Sequence, residues 1–154
     1  NLINMSFYEL YLFDYIKSMF NDQIKYYSLA PMIKSLSICL PTFNRYDYLK
    51  RFYSTLKFQD SNNIIDIELV IINDGSTDQT ANLIDEWKKE NNFKINYFFQ
   101  KNTGRASALK KAIQLSSMDY IMIMDDDCYF LNNFFSTIKN LNFNCLRLFL
   151  WINR

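Results

Sequence analysis

Three consecutive carboxylates, Asp125-Asp126-Asp127, follow the apolar run 120–124 (YIMIM). Like charges so close repel, and partial burial raises their pKa values further. A divalent cation relieves that repulsion. Mg²⁺ or Mn²⁺ takes oxygen ligands, commonly one or two carboxylates completed by phosphate oxygens and water. If the extended backbone continues past Met124, the strand period of two turns Asp125 and Asp127 the same way, toward one metal-diphosphate, and leaves Asp126 facing elsewhere. The plain alternative is a solvated acidic loop.

Three other segments carry unusual polar residues. In Asn73-Asp74-Gly75-Ser76-Thr77-Asp78, turn and N-cap chemistry accounts for Gly75, Ser76 and Thr77. It does not require Asp74, whose carboxylate, exposed at a strand end, can accept from a nucleobase N–H. Pro41-Thr42-Phe43-Asn44-Arg45 joins a rigid turn to a ring that either stacks on a flat base or fills the core. Arg45 is either an anion partner or a solvated charge. Asn102-x-Gly104 opens a helix, whose free N–H groups suit an anion.

These segments need a scaffold, and the hydrophobic periodicity supplies one. Short apolar runs at 36–40 (LSICL), 67–72 (IELVII), 95–99 (INYFF) and 120–124 read as strands. Between them, 47–58 places Leu49, Phe52, Tyr53 and Leu56 on one helical face. After Gly75 a helix is expected, opened by a Ser76/Gln79 capping box, with Ala81, Ile84 and Trp87 inward. A third helix over 103–115 turns Ala106, Leu109, Ala112 and Ile113 inward, and 131–141 reads as a fourth. Alternating strands and helices predict an α/β fold, Rossmann-like, with a mostly parallel sheet flanked by helices. In such a sheet ligands bind beyond the carboxyl ends of the strands. All four polar segments fall there, and their convergence points to one site.

Composition narrows the chemistry. The chain has 154 residues and 49% hydrophobic content, enough for one domain with a core. A net charge of +1 argues against a nucleic-acid partner. There is no histidine, which removes His-based triads, His metal sites and His bases together. Three cysteines (Cys39, Cys128, Cys145) form no CxxC pair and fit a reduced, cytoplasmic setting. Residues 1–33 read as a helical extension of unclear role, 34–144 as the binding domain and 145–154 as an apolar tail and a point of truncation. Glu9, Asp14 and Lys17 make the opening stretch a poor membrane span, though peripheral association at the inner face of a membrane stays open.

Taken together, PTFNR (41–45), NDGSTD (73–78), Asn102-x-Gly104 with the small Ala108, and Asp125-Asp126-Asp127 resemble, in order and spacing, the family 2 glycosyltransferases. The resemblance covers residues 34–140. It implies a GT-A fold and a nucleotide-sugar donor, most often UDP-linked. Residues matching Pro41, Phe43 and Asp74 line the base pocket. Arg45, Asn102, Gly104 and Asp126 belong to the donor-binding set. Asp125 sits near ribose or metal, and Asp127 binds the metal that bridges the diphosphate. The transfer inverts the sugar's configuration, with a glycan or lipid-linked acceptor hydroxyl attacking C1 after a carboxylate base takes its proton. The chain departs from the pattern where Leu109-Lys110 stands in place of Arg-Asn. The family's base lies well beyond the acidic motif, in an acceptor half, so none is assigned. The alternative is therefore a catalytically incomplete nucleotide-binding or interaction domain. Phosphotransferases of the haloacid-dehalogenase type fit less well, because Tyr129 stands where they carry Thr or Val. Sugar-phosphate nucleotidyltransferases need a glycine-rich loop after the first strand, and the two glycines, Gly75 and Gly104, lie elsewhere.

Overall fold

The computed structural model describes residues 35–59, 66–135 and 149–151. The strands are β1 (Ser35–Thr42), β2 (Asp66–Asn73), β3 (Lys94–Phe99), β4 (Tyr120–Ile123) and β5 (Phe149–Trp151). The helices are α1 (Tyr46–Lys57), α2 (Thr80–Glu90) and α3 (Arg105–Leu115). One sheet holds all five strands in the order β3-β2-β1-β4-β5. β1 through β4 run parallel, and β5 pairs antiparallel with β4. β5 falls inside the stretch that sequence reading leaves as an apolar tail; three residues carry too little periodicity to signal a strand. The extension at 1–33 and most of the fourth helix at 131–141 lie outside the described residues.

The strand period sorts the core into two layers. Leu36, Ile38 and Leu40 of β1 and Leu69 and Ile71 of β2 pack with Leu49, Phe52, Tyr53 and Leu56 of α1 and Leu83, Ile84 and Trp87 of α2. The Tyr53 and Trp87 rings stack with centroids 4.1 Å apart. On the other face Cys39, Val70 and Ile72 meet Ala108, Leu109, Ala112 and Ile113 of α3. None of the three N-cap residues, Arg45, Gln79 and Gly104, caps its helix through its own side chain. A cap is worth about 1 kcal/mol, whereas each fully buried Leu or Ile contributes about 1.5–3 kcal/mol. The buried faces therefore hold these helices in place.

Four sequence expectations need correction. Ser76 does not cap α2, which begins later at Thr80; the Asp78 carboxylate takes the Thr80 N–H instead (3.0 Å). Ala81 and Ala106 are exposed, and Thr80 and Ala108 hold the inward positions, because each helix starts later than its motif suggests. β1 does not end before Pro41 but runs through it to Thr42. Cys39 accepts from Met124 on the β4 side, so by alternation Pro41 faces that side too, past the last β1–β4 pair. Its missing N–H breaks no ladder bond there. Finally, β4 stops at Ile123 rather than Met124, with consequences for the acidic cluster.

The chain builds outward from β1 to β2 and β3, then returns to place β4 on the other flank of β1. The order reverses between β1 and β4. That reversal opens a crevice at their carboxyl ends.

Candidate nucleotide-sugar site

The crevice is an open cleft of about 350 Å³. The end of β1 contributes Pro41 and Thr42, the loop after it Phe43 and Arg45, and the residue after β2 is Asp74. Asn102, Gly104, Arg105 and Ala108 come from the loop after β3 and the start of α3; Asp125 and Asp126 come from the loop after β4. Of the expected site residues, only Asp127 does not line it.

Two of these loops are tied together by their own motif residues. The Asn44 N–H donates to Ser76 Oγ (2.9 Å), and the Thr77 N–H donates to Asn44 Oδ1 (2.8 Å). Asn44 adopts φ +52°, a left-handed conformation that Asn tolerates. The Tyr46 N–H donates to Asp78 Oδ2 (3.1 Å). Burial opposes ionisation of Asp78, but hydrogen bonds from Thr80 and Tyr46 outweigh it and lower its pKa. Asn44, Ser76, Thr77 and Asp78 of the motifs PTFNR and NDGSTD thus shape the loops, leaving Pro41, Thr42, Phe43, Arg45 and Asp74 on the cleft wall.

Asp74 is buried, 4% exposed, not the exposed carboxylate the sequence suggested. Gln100 Nε2 (2.7 Å) and the Thr103 N–H (3.0 Å) donate to its Oδ1, and the Gly104 N–H donates to its Oδ2 (2.9 Å). Burial raises its pKa, yet these bonds prevail and hold it below the usual carboxylate range. Two of the N–H groups offered to an external anion before α3 are therefore satisfied from inside. Gly75 makes this close approach feasible. Its φ is +86°, and a Cβ there would lie 2.8 Å from the Asn102 nitrogen.

Phe43 is 45% exposed at the cleft, so the core alternative for its ring falls away. The Arg45 guanidinium lies 4.9 Å from the centroid of the Tyr48 ring.

The acidic cluster is a turn, not a continued strand. The Cys128 N–H donates to the Asp125 carbonyl (3.1 Å), so the alternation expected to align Asp125 with Asp127 is interrupted. Asp126 instead faces inward and accepts from Thr42 Oγ1 (2.8 Å). Burial pushes its pKa up, and Asp127 and Asp125 add to that; the Thr42 bond and the Arg45 charge only partly offset them. Asp125 accepts from Arg105 Nε (3.0 Å) and also pairs with Arg105 Nη2. Asp127 is exposed. Among the described residues no three His, Cys, Asp or Glu side chains converge on an ion. The donor set still fits a hard divalent cation, which needs only one or two carboxylates when phosphate and water complete its shell.

Sequence reading gave no role to Thr42, Gln100, Thr103 or Arg105. Thr42 sits inside PTFNR, and Arg105 directly follows Asn102-x-Gly104. Nothing in the sequence signals that Gln100 and Thr103 reach back to Asp74.

A family model for Glycosyl transferase family 2 matches residues 37–140. The chain belongs to this family. It is 33% identical over 118 residues to a poly-β-1,6-N-acetyl-D-glucosamine synthase of Staphylococcus epidermidis, covering 77% of this chain and 28% of that one. Among solved structures it is similar to residues 1–349 of S. aureus TarS in complex with UDP-GlcNAc, with a TM-score of 0.56 and 26% identity. That match covers 70% of this chain and 30% of the other. A Pyrobaculum calidifontis mannosyltransferase bound to GDP-Man and Mn²⁺ shares the fold at 19% identity, with a TM-score of 0.59 over 85% of this chain and 37% of that one. The parallel sheet flanked by helices is the GT-A arrangement of these structures. The chain spans between 14% and 28% of the length of the first curated relatives it matches.

Proposed function

We propose that this chain binds the nucleotide-sugar donor, UDP-linked, of an inverting, metal-dependent glycosyl transfer to a glycan or lipid-linked acceptor hydroxyl. The observation that carries the reading is the convergence of four polar loops on one cleft at the β1/β4 switch point, in a family 2 glycosyltransferase. The UDP-GlcNAc bound by TarS supports the choice of uridine nucleotide.

The roles follow from the chemistry of each wall. The Phe43 ring, half exposed beside Pro41, offers a face on which a base stacks. Asp74 holds the Asn102–Gly104 loop against β2 and so sets the cleft's width. Arg45 answers negative charge at the same wall as Asp126. Asp125 and Asp127, at the acidic turn, would hold Mg²⁺ or Mn²⁺. When bound, such a cation supplies charge stabilisation to a departing diphosphate. No described residue is assigned as the base. Among the described residues no helix is long and apolar enough to cross a membrane. The free thiols of Cys39 and Cys128 support a cytoplasmic setting.

Calorimetric titration of the chain with UDP, GDP and ADP, with and without Mn²⁺, tests the reading. UDP binding that requires Mn²⁺ is expected. A folded chain that binds none of the three nucleotides would contradict it.

A further inference from the structure

Arg105 opens α3 and stands across the cleft from the acidic turn. Both its Nε (3.0 Å) and its Nη2 donate to the same oxygen, Oδ1 of Asp125. The pair ties the loop after β3 to the loop after β4 over the cleft. Its two side chains are 38% and 48% exposed, so it is screened and easily exchanged. Arginine keeps its charge, so a second anion competes with the carboxylate for it. A diphosphate is such an anion, with oxygens matched to the guanidinium fork. Among the described residues the neighbouring Asp126 makes no such ion pair and accepts instead from the Thr42 hydroxyl.

On the donor-site reading above, we infer that Arg105 is a latch on Asp125: it occupies a carboxylate oxygen on the cleft while nucleotide is absent and yields it when a nucleoside diphosphate takes the guanidinium. The diphosphate then both draws away a competing cation and frees an oxygen ligand. Diphosphate and divalent cation are thereby coupled, and each strengthens the other by the same factor. Arg105 acts here as a positioning residue for Asp125.

Mn²⁺ titration followed by electron paramagnetic resonance, on the 154-residue chain and its Arg105→Gln variant, tests the latch. Each is measured alone, with uridine and with UDP, allowing for Mn²⁺ held by free UDP. Without nucleotide, Arg105→Gln is expected to bind Mn²⁺ roughly two- to five-fold tighter than the parent, the scale of an exposed ion pair. UDP should tighten Mn²⁺ binding more in the parent than in the variant, and uridine, lacking phosphate, in neither. The difference should shrink as salt screens the pair. Equal Mn²⁺ affinity without nucleotide, or an equal UDP effect in both proteins, would overturn the latch while leaving the donor site standing. Loss of all Mn²⁺ and UDP binding in both would remove the site and the latch together. Should Arg105→Gln not fold, Arg105→Lys carries the test: it keeps the charge without the fork and is expected to bind Mn²⁺ tighter than the parent by a smaller margin, and equality would overturn the proposal.

Discussion

Two acids at opposite ends of the sheet, Glu68 buried and Asp126 half-buried, are treated differently. At the amino end Glu68 of β2 is fully buried. Ser37 Oγ (2.7 Å) and Ser117 Oγ (2.7 Å) donate to it, the Ser117 N–H joins them, and Lys94 Nζ pairs with it at 3.0 Å. Burial raises its pKa, but these partners overcome that and keep it low. At the carboxyl end Asp126 has the Thr42 hydroxyl and two acidic neighbours, and its pKa rises. One acid is satisfied from within and links β1, β2, β3 and the turn before β4. The other is left in need of positive charge beside a cleft. The same residue chemistry serves stability at one end and, on the reading proposed here, ligand binding at the other.

The sharpest way to break this contrast is at Glu68. Glu68→Ala strands several buried donors and should cost about 2–4 kcal/mol, discounted because Lys94 is largely exposed. Urea denaturation measures the loss. Asp126→Asn should leave the midpoint unchanged or raise it. If the two variants destabilise equally, the ends are not different in kind. The pH dependence carries the same sign: a group with a lowered folded pKa stabilises above its unfolded value and loses that contribution as pH falls. The parent should therefore lose stability below about pH 4.5, Glu68's ordinary value, and Glu68→Gln should lose less over that range.

At the cleft the expected effects fall on binding. Asp125→Asn and Asp127→Asn should each abolish the Mn²⁺ dependence of UDP affinity with the fold intact by circular dichroism; unchanged dependence in Asp127→Asn would remove that residue from the metal assignment. Phe43→Ala should weaken UDP binding by about 1–3 kcal/mol if its ring stacks on the base. Gly75→Ala forces a Cβ into a left-handed conformation, costing about 1–2 kcal/mol, and pushes on Asn102. Its calorimetric signature should be weaker UDP binding alongside a lower melting temperature.

Much of this was legible in the sequence because it rests on periodicity. The runs 67–72 and 120–124 and the helical spacing of Leu49, Phe52, Tyr53 and Leu56 report burial directly, and the alternation of elements then places four polar segments at one sheet edge. What stayed hidden depends on reach across the fold. Asp74 is bonded by Gln100, Thr103 and Gly104, some thirty residues on, and no local pattern announces that. The alignment of Asp125 with Asp127 depended on the strand continuing past Met124, and a turn begins there instead. Likewise Ser76, a good cap by type, is taken up by Asn44 of another loop.

The most direct measurement is amide NMR of the chain with UDP and a trace of paramagnetic Mn²⁺. The account predicts line broadening centred on Asp125, Asp126 and Asp127, reaching Thr42, Phe43, Gly104 and Arg105, with Glu68, Lys94 and Ser117 unaffected. Broadening centred on the Glu68 end, or spread evenly over the chain, would contradict it.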